Sequence, residues 1–519
     1  MKKGIGEVRT RGRWATTARR LVVLLAALAL VGCSGAPLSL TGSGGGWRHL
    51  RTDHFDLYTD LGESDALDAC NTLEQSRSAI LTAAWSKAAD RGATSRAVVV
   101  VFGNGLEFEH YAGRNYSGAF TRRGRPTLLL WGPPRRWEQK DLRDEVSSSV
   151  LRHEIAHRLA AGFYRRQPRW FSEGLAQFLE SVVINPEEQT VILGRPNTTA
   201  LRKYQMSGAV GVRDILAWKN DEDLDERTLA VYYGVSWIFV HWLYNTQFEA
   251  FAAYQQLLAA GAAPEDAFQQ ALGGIDLDTI DKALYAYSHH GEFQELTAPL
   301  DTARVQPEVR TVRPAEVEAI HAQAALAFAG LRHDEGLVKE AREALERGLH
   351  EEPGESLALR LRMTLSPPLS NEELVAALRT QVALQPSDGD AWAMLGGVLD
   401  EKSALKEKES ALRMAVVSLP DDPGPKNDLA WLLAMSHRGP EALPLAEQAL
   451  ALAPWDAYII DTYAATLVTV GRCQEGIKAQ ERALDLLAEA GRGTQDHGRF
   501  RERLKRYRTE CAAGKKGSE

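Results

Sequence analysis

The chain has 519 residues, more than one hydrophobic core organises, because single cores stop growing near about 250 to 300 residues. It is 44% hydrophobic and 25% charged with a formal net charge of -8, a composition that excludes a disordered chain and a multi-span membrane protein. The acidic balance also argues against nucleic acid as a partner, since phosphate recognition needs a basic face.

In chain order, Lys2, Lys3, Arg9, Arg11, Arg13, Arg19 and Arg20 precede the apolar run LVVLLAALALV. That run is too short to span a bilayer, which takes roughly 20 residues, and a basic stretch followed by an apolar one is the layout of an export signal. The following LVGCSG resembles the lipobox of bacterial lipoproteins, in which the signal is cut before a cysteine that becomes diacylated; here that residue is Cys33. The resemblance implies a signal peptide over 1–32 and a lipid anchor at Cys33. Because Ser34 rather than an aspartate follows, it also implies the outer membrane, facing the periplasm. Without residues 1–32 the formal charge becomes -14. Residues 33–46, which contain TGSGGG, read as a flexible tether.

Residues 47–298 mix element types. HFDLYTD (54–60) alternates like a half-buried strand, a helix follows to about residue 90, RAVVVVF (96–102) reads as a buried strand, and GRPTLLLWGPP as another closed by Pro133 and Pro134. An α+β domain is expected. His49, His54, His110, His289 and His290 lack ligand spacing and read as surface groups.

His153, Glu154 and His157 form H-E-x-x-H. Residues four apart lie on one helix face, so both imidazoles can reach one metal ion while Glu154, a step around, is placed to act as a base on water. Leu142, Val146, Val150, His153 and His157 share the apolar stripe. Gly162 suits the end of this helix and Pro168 the first turn of the next. A catalytic zinc site takes three protein ligands and one open position. Glu173 is the candidate third ligand, Glu180 its rival, and Gln177 a candidate to orient a histidine.

HEIAHRLAAGFYRRQPRWFSEGLAQFLES resembles the peptidase MA-like family of gluzincin metallopeptidases, with H-E-x-x-H followed by P-x-W-[FL]-x-E-G-x-A. The resemblance implies that His153, His157 and Glu173 hold Zn2+ and that Glu154 is the general base. The gap from His157 to Glu173 is shorter than in the best-studied gluzincins, so the connecting turn must be tight. Further on, YYGVSWIFVHWL (232–243) resembles the family's Y-x-x-S-W segment. Attack on a carbonyl needs a donor for the developing oxyanion; Tyr233 aligns best with that role and His241 is the alternative. SGAFTRRGRPTLLLW is a candidate edge strand for an extended substrate.

Residues 299–315, with Pro299, Pro307 and Pro314, read as a linker. Over 316–513, Pro353, Pro386, Pro420 and Pro454 recur at intervals of 33, 34 and 34 residues, each closing an Ala/Leu-rich helix. This resembles the tetratricopeptide repeat, a helix-turn-helix unit that stacks into an all-α solenoid with a partner-binding groove. Cys473 and Cys511 lie in this region and are a candidate disulfide in an oxidising compartment, which leaves Cys70 free or buried.

The whole reads as a gluzincin-like α+β metallopeptidase domain followed by a tetratricopeptide-repeat solenoid: a lipid-anchored zinc metallopeptidase of the bacterial envelope, acting on a protein or peptide substrate. Two rival readings are a non-catalytic repeat scaffold with a metallopeptidase-like binding domain, and zinc-dependent hydrolysis of another amide.

Overall fold

The computed structural model describes residues 46–85, 96–113, 118–121, 127–139, 148–206, 208, 210–219, 224–300, 304–489 and 494–516. The expected signal peptide, Cys33 and nearly all of the tether lie outside them, as do Leu142 and Val146. Among the described residues no helix is long and apolar enough to cross a membrane.

The first half runs β1 (Arg48–Arg51), β2 (Phe55–Thr59), α1 (Glu63–Trp85), β3 (Ala97–Phe102), α2 (Gly105–Ala112), β4 (Gly118–Thr121), β5 (Thr127–Trp131), and the two-residue strands β6 (Glu138–Gln139) and β7 (Ser148–Ser149). Then come α3 (Val150–Phe163), α4 (Arg169–Glu180), β8 (Val183–Asn185), β9 (Thr190–Leu193), α5 (Thr198–Gln205), α6 (Val212–Leu216), α7 (Glu226–Thr246), α8 (Phe248–Ala259), α9 (Pro264–Leu272), α10 (Leu277–His290), β10 (Leu296–Pro299) and β11 (Glu308–Thr311).

A six-stranded sheet of order β11-β1-β2-β3-β5-β4 is the spine. Its centre is parallel, β2 with β3 and β3 with β5, and β4 closes one edge antiparallel to β5. All six residues of β3 are buried, because both faces of the sheet are covered; the unbroken run AVVVVF is what a doubly covered parallel strand needs. Val99 and Val101 pack with Leu57, Leu130 and residues of α1, α3, α4 and α7, while Val98, Val100 and Phe102 pack on the opposite face.

What covers that opposite face departs from the expected domain boundary. It is α11 (Pro314–Arg332), through Ala319, Ile320, Ala322 and Phe328. The stretch 299–315 is therefore not a linker. β11 extends the main sheet beside β1, and β10 lies beside β9. The three prolines that suggested a connector instead mark element ends: Pro299 closes β10 on the edge of its sheet, Pro307 precedes β11, and Pro314 begins α11, all positions where a missing N–H is tolerated. His49 is also not a surface group; it is buried, with Nε2 2.8 Å from Asp56 Oδ1 and its ring stacked on Tyr58.

From α11 onward the chain is helical hairpins: α11 with α12 (Glu335–Glu351), α13 (Ser356–Met363) with α14 (Asn371–Leu384), α15 (Gly389–Val398) with α16 (Leu405–Ser418), α17 (Pro423–Met435) with α18 (Gly439–Leu452), and α19 (Ala457–Thr469) with α20 (Cys473–Glu489), followed by α21 (Thr494–Lys516). Pro353, Pro386, Pro420 and Pro454 each fall just after the second helix of a hairpin, so the 34-residue period is the repeat of a helical solenoid. The Cys473–Cys511 disulfide joins α20 to α21, with Cα atoms 5.7 Å apart, and Cys70 is free and buried. The array stays close to the first domain. A 780 Å³ cleft between β11 and the starts of α13, α15 and α17 is lined by Val309, Arg310, Glu355 and Asp390, and Arg96 pairs with Asp421 at 3.0 Å.

Because α11 completes the sheet's second core, a fragment ending at residue 298 is expected to expose Val100, Phe102 and Leu129, to bind a hydrophobic dye and to aggregate. In the full chain Phe328→Ala should cost about 3–5 kcal/mol by urea unfolding. A soluble, dye-silent 46–298 fragment with native near-UV dichroism would contradict this dependence.

Candidate metal centre

Helix α3 begins directly from β7, where the Ser149 side chain caps it by accepting from Arg152 N–H. Leu151, Ile155, Ala156, Leu159 and Ala160 turn into the core, leaving His153 and His157 half-buried on the flank of that face. Their Nε2 atoms are 3.0 Å apart. The edge strand β4 runs close by: a Cβ at Gly118 would lie 3.7 Å from Val150 Cγ1.

Helix α4 starts after Pro168, which occupies the cap position rather than the first turn. It lies on α7 with almost no space between the backbones. A Cβ on Gly174 would sit 2.5 Å from the Ser236 carbonyl oxygen and 2.8 Å from Val240 Cγ2, so a larger residue would push the helices apart. The approach brings buried Glu173 to the histidines, its Oε2 3.5 Å from His153 Nε2 and 3.4 Å from His157 Nε2. Among the described residues this is the one group of three or more His, Cys, Asp or Glu side chains whose donor atoms all lie within 4.8 Å of one another.

A ring of partners orients the three. Glu180 Oε2 is 2.8 Å from His153 Nδ1, and Asn197 Nδ2 donates to Glu180 Oε1 at 2.8 Å. Ser172 Oγ is 3.1 Å from His157 Nδ1. Both Nδ1 atoms are thus engaged and both Nε2 atoms face Glu173, the arrangement in which imidazoles present a fixed nitrogen to a metal ion. Glu180, the rival ligand, holds His153 from behind. That is the role expected of Gln177, whose buried Oε1 has no hydrogen-bond partner among the described residues.

The cluster is electrostatically coupled. Burial disfavours a charged His153, but hydrogen bonds and charges from Glu173 and Glu180 outweigh it and push its pKa up to about 10. Burial likewise disfavours ionised Glu173, yet His153 and His157 hold it well below the usual carboxylate range. A metal ion binds neutral imidazole, so a His153 pKa raised in this way predicts proton release on metal uptake.

Glu154 is half-buried beside His153, and among the described residues its carboxylate makes no hydrogen bond or ion pair. Tyr233 is half-buried and meets the Trp218 ring edge-on at 5.6 Å. Trp218 in turn lies under the Arg169 guanidinium at 5.2 Å, and Arg169 Nη1 is 3.1 Å from Glu173 Oε1. His241 is removed from candidacy as an oxyanion donor. It is fully buried, with Nδ1 2.9 Å from Tyr287 Oη and Nε2 3.0 Å from the Gly194 carbonyl, and burial lowers its pKa to about 4. Sequence reasoning missed Asn197, Ser172, Trp218 and Arg169; only Arg169, four residues before Glu173 on one helix, carried a readable spacing signal.

Residues 147–264, which include His153, His157 and Glu173, match a family described as protein of unknown function (DUF1570). No curated protein matches the chain. Among solved structures, the chain is similar to TTC0263, a tetratricopeptide-repeat protein of Thermus thermophilus, at 19% identity over 36% of this chain and 98% of that one, with a TM-score of 0.26. It is similar to MamA of Desulfovibrio magneticus at 19% identity over 34% and 89%, TM-score 0.24. For PilF of Pseudomonas aeruginosa the values are 16% identity over 39% and 90%, TM-score 0.28.

Two measurements test the roles assigned by this geometry. Glu180→Ala should weaken metal binding about 10–100-fold, as removal of outer-shell partners does, whereas a ligand role for Glu180 requires loss of the ion altogether. Because His153 is protonated below its raised pKa, metal uptake at pH 7 should release at least about one proton, with affinity rising about tenfold per pH unit. Calorimetry in buffers of different ionisation enthalpy reads the proton count, and a pH-independent affinity would contradict the coupling.

Proposed function

We propose that this chain is a zinc-dependent metallopeptidase of the gluzincin type that cleaves peptide bonds of a protein substrate and is held in the bacterial envelope by a lipid on Cys33. The observation that carries the reading is the triangle of donor atoms with edges of 3.0, 3.4 and 3.5 Å. Zinc bonds of about 2.0 to 2.1 Å in tetrahedral geometry place ligand atoms roughly 3.3–3.4 Å apart, so His153, His157 and Glu173 fit the ion with little movement.

When bound, zinc would supply Lewis acidity that polarises a carbonyl and eases the ionisation of water. The chain's own residues supply the rest. Glu154 accepts the proton of the attacking water and delivers it to the leaving amine, and its free carboxylate suits both transfers. Tyr233, whose ring meets Trp218, itself under the Arg169 that pairs with Glu173, is assigned as the donor to the oxyanion. An extended substrate is placed along β4, the end strand of the sheet among the described residues, beside the first turn of α3. The repeat array holds a protein partner or the substrate outside the scissile segment.

Glu154→Gln should lower cleavage of unfolded protein substrates by about 10²–10⁴-fold and leave bound zinc unchanged, read by product mass spectrometry alongside metal analysis. Equal cleavage by the two proteins would remove the peptidase reading even with zinc in place.

A further inference from the structure

We infer that Arg169 is a positioning residue that keeps Glu173 a one-oxygen donor and so preserves the open position of the centre. The inference rests on the metal site proposed above. Glu173 sits four residues after Arg169 on α4, and its two oxygens have different surroundings: Oε2 faces both histidine Nε2 atoms, while Oε1 lies 3.1 Å from Arg169 Nη1. A carboxylate has two oxygens able to bind one cation. Taking up both would fill the fourth position that hydrolysis needs for water. A guanidinium at Oε1 opposes this, because that oxygen is already paired with a cation.

Arg169 is itself fixed. Its guanidinium lies over Trp218, a buried residue whose ring also meets Tyr232 and Tyr233. The planar group stacks on one side and pairs on the other, a combination that lysine does not reproduce. The same contact ties the ligand Glu173 to the helix bearing Tyr233.

The test uses the full chain reconstituted with cobalt(II), whose visible bands are intense in four-coordinate sites and weaker in five-coordinate ones. Arg169→Met is expected to keep one cobalt per chain and to show weakened bands. Arg169→Lys should restore part of the band intensity by returning a charge to Oε1. An Arg169→Met spectrum identical to that of the native chain would overturn the inference while leaving the metal centre intact. A native chain that takes up neither cobalt nor zinc would instead remove the centre itself. Equal melting temperatures of native and variant chains in chelator would show that the spectral change arises at the site and not from unfolding.

Discussion

Glu173 can meet two imidazoles on a neighbouring helix only if its own helix lies tightly against the structure behind it, and the contact between Gly174 and the Ser236 carbonyl is what allows this. A Cβ there would sit 2.5 Å from that oxygen, closer than packed atoms approach. The rest of the site follows from the placement of α4: Glu173 at its start faces His153 and His157, Ser172 beside it reaches His157, and Glu180 two turns on reaches His153. One short helix thus supplies a donor atom and both orienting groups. α7, on which it rests, contributes Trp237 and Phe239 to the core without exposure to solvent.

The centre is arranged around charge as much as around shape. Hydrogen bonds and charges from Glu173 and Glu180 raise the pKa of His153 against the cost of burial. Asn197 and Arg169 divide the carboxylate oxygens between those facing the histidines and those facing away. This economy has a structural counterpart at the level of domains. The sheet that supports α3 has its second face covered by α11, so the repeat array does not hang from a tether but completes the core of the domain. A second contact lies at the other end of the array: a Cβ on Gly261 would sit 3.7 Å from Arg165 Cδ, in the turn between α3 and α4, and 3.8 Å from Trp455 Cζ3.

Much of this was legible in the sequence, and the rest was hidden for physical reasons. H-E-x-x-H reads directly because helical spacing is rigid, and the 34-residue proline period reads directly because a proline after each hairpin terminates a helix. AVVVVF announced a buried strand but not that a helix more than 200 residues away would cover one of its faces. The linker reading failed because proline marks the ends of strands as well as of connectors, and β11, at four residues, is too short to show an alternation of its own. Glu173 and Glu180, seven residues apart, lie on one helix face, so sequence left them as rivals; only the relative placement of α3, α4 and the Asn197 cap separates the carboxylate that faces both Nε2 atoms from the one that meets His153 Nδ1. His241 looked available because its partners, Tyr287 and the Gly194 carbonyl, are more than 40 positions away.

The central claim is that His153, His157 and Glu173 together form one metal-binding centre. The most direct measurement is zinc per chain, by elemental analysis of the purified protein after dialysis against excess zinc and then buffer, for the native chain and for His157→Ala. The account predicts close to one zinc per native chain and almost none in the variant. A native chain without zinc, or a variant that keeps it in full, would contradict it.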